Sequence, residues 1–209
     1  AMKPDIATVF AGTNDVVSKA FDADVLHRDL DHMVAELRSN GATVLTFTLP
    51  DLTRVLPIAR RLEPKLHAFN DVVRRVAADR GAKIVDFAAH PVAADLRLWS
   101  ADRFHANAAG HERIAAGLAH VLGIPGFDER WSADLPPSPG HAPLQRRVGD
   151  LRWVVAFLLP WLWRHARGRS SGDGRMPKRP RPVLLTAPAE PAASAVPCAP
   201  RSPPSRSAP

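Results

Sequence analysis

Cysteine is almost absent: the 209 residues hold one, Cys198. A single thiol can neither close an internal disulfide nor build a thiolate zinc cluster. Long apolar runs are missing as well. The longest, Trp153 to Trp163, is 11 residues with Pro160 inside it, against the roughly 20 that a membrane-spanning helix requires. There is no signal-peptide pattern either, because the chain opens Ala-Met-Lys-Pro-Asp and runs straight into a strand-like segment. An alanine ahead of Met2 is unusual for a native start and suggests an added residue or a chain cut from something longer.

What is present is unevenly divided. Hydrophobic residues make up 45% and charged residues 23%, a globular composition. Residues 1–124 hold 15 basic and 15 acidic side chains, so the net charge of +7 lies wholly in residues 125–209. Proline follows the same line, with 5 of 21 before residue 125 and 16 after it. The chain therefore reads as a neutral globular part followed by a basic, proline-rich extension.

Asp5–Ala11 is a short apolar run bounded by Pro4 and Gly12, which suits a strand covered on both faces. Leu26, Leu30, Met33, Val34 and Leu37 keep helical spacing from about Asp24 to Ser39, and Asn40-Gly41 supplies the stop. Ala42–Thr48 is a second strand. Pro64 fits a first helical turn, Leu66, Phe69, Val73 and Val76 form an inner stripe, and Gly81 ends the helix. Lys83–Phe87 is a third strand, and a last helix runs from an Asn107 N-cap to Gly123. Alternating strands and helices predict βαβ units and a parallel α/β sheet.

In such sheets ligands bind beyond the C-terminal ends of the strands. Two segments fall there: Gly12-Thr13-Asn14-Asp15 after the first strand, and Asp102-Arg103-Phe104-His105 before the last helix. An Asp three residues before a His can accept a hydrogen bond from the imidazole Nδ1–H, leaving Nε2 free as a general base. An Asn just past a strand end can aim its amide at a developing oxyanion, or simply form a turn. His105 and His111 with Asp102 lack a third strong ligand, so no metal site is expected. His27, His32, His67 and His120 read as solvated or packing residues.

These blocks resemble the SGNH (GDSL-type) ester hydrolases. Ala11-Gly12-Thr13-Asn14-Asp15 is similar to that family's G-x-N-D block, and Asp102 through His111 to its D-x-x-H block with a trailing Gly-His. The likeness covers roughly residues 4–124 and is strongest to actinobacterial members, whose basic tails hold a segment like Gly168–Arg175. It implies a three-layer, flavodoxin-like parallel sheet acting on carboxylic esters without cofactor or metal. By the same resemblance His105 is the general base, Asp102 its orienter and Asn14 the oxyanion-hole amide, with Gly12 and Asp15 supporting. Ala106 stands where many members carry proline.

The family's nucleophilic serine lies in an earlier Gly-Asp-Ser block, and a second oxyanion donor is a glycine after the next strand. Neither block is found in these 209 residues. Gly149-Asp150-Leu151 and Gly172-Asp173-Gly174 are the nearest matches and hold no serine there. Ser18, Ser39 and Ser100 read as loop or helix-end serines. The family topology therefore predicts two missing N-terminal βα units, roughly 60–80 residues. The expected substrate is a small-molecule or lipid ester. The rival reading is an inactive remnant that binds membrane surfaces or a partner.

The predicted organisation is residues 1–124 as the C-terminal part of the hydrolase domain, 125–145 as a Pro-rich linker, 146–169 as a basic amphipathic aromatic helix and 170–209 as a disordered tail. In 146–169, tryptophans alternate with Arg146, Arg147, Arg152, Arg164, Arg167 and Arg169. Such a helix either lies on anionic lipid or covers an apolar patch on the body. The Lys178–Arg181 cluster has no stacking aromatics, so nucleic acid is not an expected partner. The expected location is cytoplasmic or membrane-peripheral rather than secreted.

Overall fold

The computed structural model describes residues 3–53, 55–138, 143–167 and Met176, and in it three short strands pair in parallel. They are β1 (Ile6–Thr8), β2 (Thr43–Phe47) and β3 (Lys83–Val85), in the order β1-β2-β3. The register sets Ile6 opposite Thr43 and Leu45 opposite Lys83. β1 is shorter than the predicted Asp5–Ala11. Val9 N–H still reaches the Leu45 carbonyl at 2.8 Å, but by Gly12 the backbone has turned to φ +92°.

Side chains alternate across a strand, so the sheet has two distinct faces. Ala7, Val9, Val44 and Ile84 point to α2 (Ala23–Ser39) and α3 (Glu63–Arg80), where they meet Leu26, Val34, Phe69 and Val73. Burying each large apolar side chain contributes about 1.5–3 kcal/mol. Asp22 caps α2 by accepting from Asp24 and Val25 N–H at 2.9 and 3.0 Å. On the other face an aromatic row runs Phe10, Phe47, Phe87, Trp131, with ring centroids 3.9, 5.5 and 5.4 Å apart. Helix α4 (Ala108–Leu122) packs here, with Gly117 facing Val85. The architecture is α/β, with helices on both faces of a parallel sheet.

The direction of α4 positions what precedes it. Lys83 Nζ, at the start of β3, donates to the Val121 carbonyl near the end of α4 at 2.8 Å. The helix thus runs antiparallel to β3, and its N-terminus lies at the C-terminal edge of the sheet. β1 ends at the same edge. The polar groups beneath that edge are paired: Thr48 Oγ1 donates to Asp86 at 2.7 Å, and Asn70 exchanges two hydrogen bonds with the Leu49 backbone.

Residues 125–138 fold back along α4, where Arg113 donates to the carbonyls of Trp131 and Ala133 at 2.8 and 2.6 Å. Beyond them come α5 (Pro143–Trp153), a π turn over Val154–Leu158 and α6 (Leu159–Ala166). Pro160 has no N–H, and its ring crowds the carbonyl four residues back. The wider π turn just upstream gives that carbonyl room, and the helix continues. Trp153 and Leu158 are buried beside Val55, Leu56, Ala59 and Ala94, so one face of this segment covers an apolar patch.

The chain divides into two units, Ala1–Trp163 and Arg164–Pro209. In the second, the described residues are Arg164–Arg167, where Arg167 N–H donates to the Arg164 carbonyl at 3.0 Å, and the exposed Met176. Apart from Met176, the tail predicted over 170–209 lies outside the described residues, as do Gly168 and Arg169. No helix among the described residues is long and apolar enough to cross a membrane.

Candidate active site

After β1 the chain turns sharply at Gly12 into the short helix α1 (Thr13–Val17). The Gly12 carbonyl accepts from Asp15 and Val16 N–H at 3.0 and 3.4 Å. Glycine is required here for two reasons. Its φ of +92° is strained for other residues, and a Cβ would sit 2.5 Å from Leu26 Cδ1 and 3.1 Å from Phe69 Cε2. Val16 is buried and anchors the turn. Asn14 stands exposed beyond the strand end, and its side-chain amide bonds to nothing among the described residues.

The second loop is a small hairpin. Trp99 and Ala106 form an antiparallel bridge. Ser100 N–H donates to the His105 carbonyl at 2.8 Å, and Arg103 N–H to the Ser100 carbonyl at 2.9 Å. At its tip the Asp102 carboxylate gathers three donors: Phe104 N–H at 2.9 Å, His105 N–H at 3.2 Å and His105 Nδ1 at 2.8 Å. A carboxylate can only accept, so Nδ1 carries a proton, and in the neutral ring Nε2 keeps its lone pair. Nε2 has no partner among the described residues, and the His105 side chain is 77% exposed.

Burial pushes the Asp102 carboxyl up, but the His105 hydrogen bond and the Phe104 and His105 backbone N–H groups outweigh it. They hold the group below the ordinary carboxylate range. It therefore remains an anion at neutral pH.

The hairpin is fastened at its base by Asn107. This residue caps α4 by accepting from Gly110 N–H at 3.0 Å, and its amide donates to the carbonyls of Arg97 and Trp99 at 2.7 and 3.2 Å. Gly110 lets the helix approach this closely, since a Cβ there would lie 2.3 Å from the Leu98 carbonyl oxygen. A second fastening comes from the C-terminal helix. Trp153 Nε1 donates to the Asp102 carbonyl at 2.8 Å. Arg103 pairs with Asp150 at 2.8 Å and lies 5.2 Å from the Trp153 ring centroid. Phe104 stacks on Trp161 at 5.6 Å. Arg103 has φ +58°, a left-handed conformation that costs about 1–2 kcal/mol for a residue other than glycine.

The structure thus brings Asp102 and His105 together and sets Asn14 at the same sheet edge, without a hydrogen bond joining Asn14 to either. Gly12 and Asp15 hold the Asn14 turn through the backbone. Ser18 and Ser39 end helices, and Ser100 Oγ donates to the Ala106 carbonyl at 3.2 Å, so none meets the His105 ring. Among the described residues no three His, Cys, Asp or Glu side chains gather as a metal site requires. The residues that composition alone could not single out are Arg103, Asp150 and Trp153. Arg103 and Trp153 line a depression of about 380 Å³ that neither His105 nor Asn14 lines.

Comparison with known proteins gives three findings. The family model described as GDSL-like Lipase/Acylhydrolase matches residues 1–113. A multidomain esterase of Ruminococcus flavefaciens is 33% identical over 113 residues, which are 53% of this chain and only 14% of that protein's length. Two solved structures are similar. TesA is 25% identical with a TM-score of 0.47, covering 57% of this chain and 63% of that one. LAE5, an alpha/beta hydrolase enzyme from the metagenome of Lake Arreo, Spain, is 24% identical with a TM-score of 0.48, covering 58% and 61%.

Proposed function

Because this chain belongs to the GDSL-like lipase/acylhydrolase family, we propose that its Asp102, His105 and Asn14 serve the hydrolysis of carboxylic esters through an acyl-serine intermediate. The observation that carries the reading is the 2.8 Å contact between Asp102 Oδ2 and His105 Nδ1, which leaves Nε2 turned to solvent as a base. A serine hydroxyl beside Nε2 gives up its proton as its oxygen attacks the ester carbonyl. The Asn14 amide donates to the oxyanion of the tetrahedral intermediate. His105 then returns the proton to the leaving alcohol, and a water molecule repeats the cycle to release the acid. Asp102 stabilises the imidazolium throughout. The scheme calls for no metal or cofactor.

No Gly-Asp-Ser block stands in the 209 residues, so the proposal assigns no nucleophile within them. The test uses the natural protein purified from its source cells, whose intact mass is measured first. Hydrolysis of p-nitrophenyl acetate and labelling by a fluorophosphonate are expected. His105→Ala should lower kcat roughly a thousandfold or more, and Asn14→Ala about 10²- to 10³-fold. A natural protein of about 22.7 kDa that neither labels nor turns over esters would defeat the reading and leave the inactive-remnant alternative.

A second reading concerns the anionic membrane surface, and one observation favours it. Leu144, Val148, Leu151, Val155, Leu159 and Leu162 recur at helical spacing, opposite Trp153 and Trp161, and are 41–71% exposed. Arg147 and Arg152 flank this outward stripe and are exposed. Apolar stripe and cationic flanks together suit a helix lying at the headgroup level of anionic lipid. The 209-residue chain should sediment with phosphatidylglycerol vesicles, less so at 0.5 M salt, and little with phosphatidylcholine. Leu151→Glu with Val155→Glu should abolish this; binding unchanged by that pair would overturn the reading.

A further inference from the structure

The inner face of the C-terminal helix touches the one loop where orientation matters most. We infer that Trp153, together with the Arg103–Asp150 pair, forms a positioning device that holds the Asp102–His105 hairpin in its working geometry. The inference rests on the base-and-orienter reading of those two residues and extends it to a segment outside the family match, which ends at residue 113.

Three contacts, two of them from Trp153, converge on two consecutive residues of the hairpin tip. Trp153 Nε1 donates to the Asp102 carbonyl, fixing the peptide plane that follows the orienting carboxylate. Asp150 holds the Arg103 guanidinium at 2.8 Å, and the Trp153 ring lies 5.2 Å from it. Arg103 is where the backbone takes its left-handed turn, at φ +58°. Such a conformation persists only where its surroundings over-determine it. Trp153 is 5% exposed and seated among Val55, Leu56, Ala59 and Ala94, so the donor itself is rigid.

The consequence lies in the imidazole. Asp102 Oδ1 accepts the Phe104 and His105 N–H groups while Oδ2 meets His105 Nδ1. Turning the Asp102–Arg103 peptide disturbs all three bonds at once. Once the Nδ1 bond is lost, a neutral imidazole is free to protonate at Nε2, the nitrogen that must stay bare to act as a base. Small displacements of this kind are costly to rate because the reacting atoms must be aligned. The C-terminal helix therefore acts through His105 without touching the reacting atoms.

The test reads the tautomer directly. Long-range ¹H–¹⁵N spectra of the His105 ring in the 209-residue chain, at a pH where the ring is neutral, should show one form, protonated at Nδ1. Trp153→Phe retains the buried ring and removes the donor; it should convert that signature into a mixture rich in Nε2–H. Asp150→Asn lies half-exposed and leaves the core untouched, and should shift it in the same direction to a smaller extent. Circular dichroism separates loss of position from loss of fold. An unchanged Nδ1–H signature in folded Trp153→Phe, or in Asp150→Asn where the first variant does not fold, overturns the inference. In the natural protein Trp153→Phe should lower kcat about tenfold or more with KM unchanged. Absence of ester hydrolysis would instead strike the function reading, since the tautomer measurement does not depend on turnover.

Discussion

The hairpin before α4 and the turn after β1 deliver their polar side chains to the same sheet edge in opposite ways. His105 is tied through Nδ1 to Asp102, whose backbone is tied in turn to Trp153, while Asn107 clamps the hairpin base. Asn14 is placed by backbone alone, through the Gly12 turn and buried Val16, and its amide is free of partners among the described residues. Under the roles proposed above, the difference matches the task given to each group. An imidazole has two nitrogens and must present the right one, so it needs a partner that selects the tautomer. An amide that offers two N–H donors needs only to be set down in the right place. Of these two loops, the hairpin is the one that the described residues of the C-terminal helix reinforce.

The sharpest way to break this comparison is to insert one methyl group beside each loop, in the first turn of α4 and in the turn after β1. In Gly110→Ala the new Cβ meets the Leu98 carbonyl oxygen at 2.3 Å, and backbone cannot step aside cheaply. About 3 kcal/mol of stability should be lost, measured by urea unfolding. In Gly12→Ala the strained φ of +92° remains, but the closest atom is Leu26 Cδ1, the end of a side chain that can rotate. The expected loss is about 1–2 kcal/mol. A greater loss at Gly12 would show that the turn after β1 is the more tightly built of the two.

An effect no larger than that at Gly12 is expected at Asp102, and it carries a pH signature. The folded carboxyl titrates below its ordinary value because the His105 bond and two backbone N–H groups outweigh its burial. A carboxyl lowered on folding contributes stability that is fully present above the unfolded value, near 4, and is lost as pH falls through the folded one. Asp102→Asn should cost about 1–2 kcal/mol at pH 7, and the gap to the unsubstituted chain should close toward pH 3. A gap constant from pH 7 to pH 3 would mean that the carboxylate charge does not hold the hairpin.

Much of this was readable in the chain itself, for local reasons. Helices α2, α3 and α4 announce themselves by apolar residues at helical spacing and by caps and stops such as Asn40-Gly41, Gly81 and Asn107. Asp102 and His105 are three residues apart, so one turn of backbone suffices to join them. The Trp153 contact could not be read in that way. It spans 51 residues and ends on a backbone carbonyl, a group that every residue carries, so no side chain at position 102 marks it. The Trp- and Arg-rich composition of residues 146–169 signalled two-sidedness, but which face meets the body is decided by the apolar patch around Val55 and Ala94. Strand length was also overread at Asp5–Ala11, because a ladder lasts only as long as its neighbour, and the turn at Gly12 ends it.

The smallest expected effect tests the other side of the comparison. Asn14 is exposed and its amide makes no hydrogen bond among the described residues, so Asn14→Ala removes nothing that supports the fold. Its unfolding free energy should stay within about 0.5 kcal/mol of the unsubstituted chain, at pH 7 and pH 3 alike, because no ionisable partner is lost. A folded chain that is indifferent to Asn14 while the natural protein's ester hydrolysis depends on it would separate function from structure at this position. At Asp102 the two remain joined. Should Asn14→Ala cost a kilocalorie or more, the amide must have a structural partner, and the turn after β1 would be held as firmly as the hairpin.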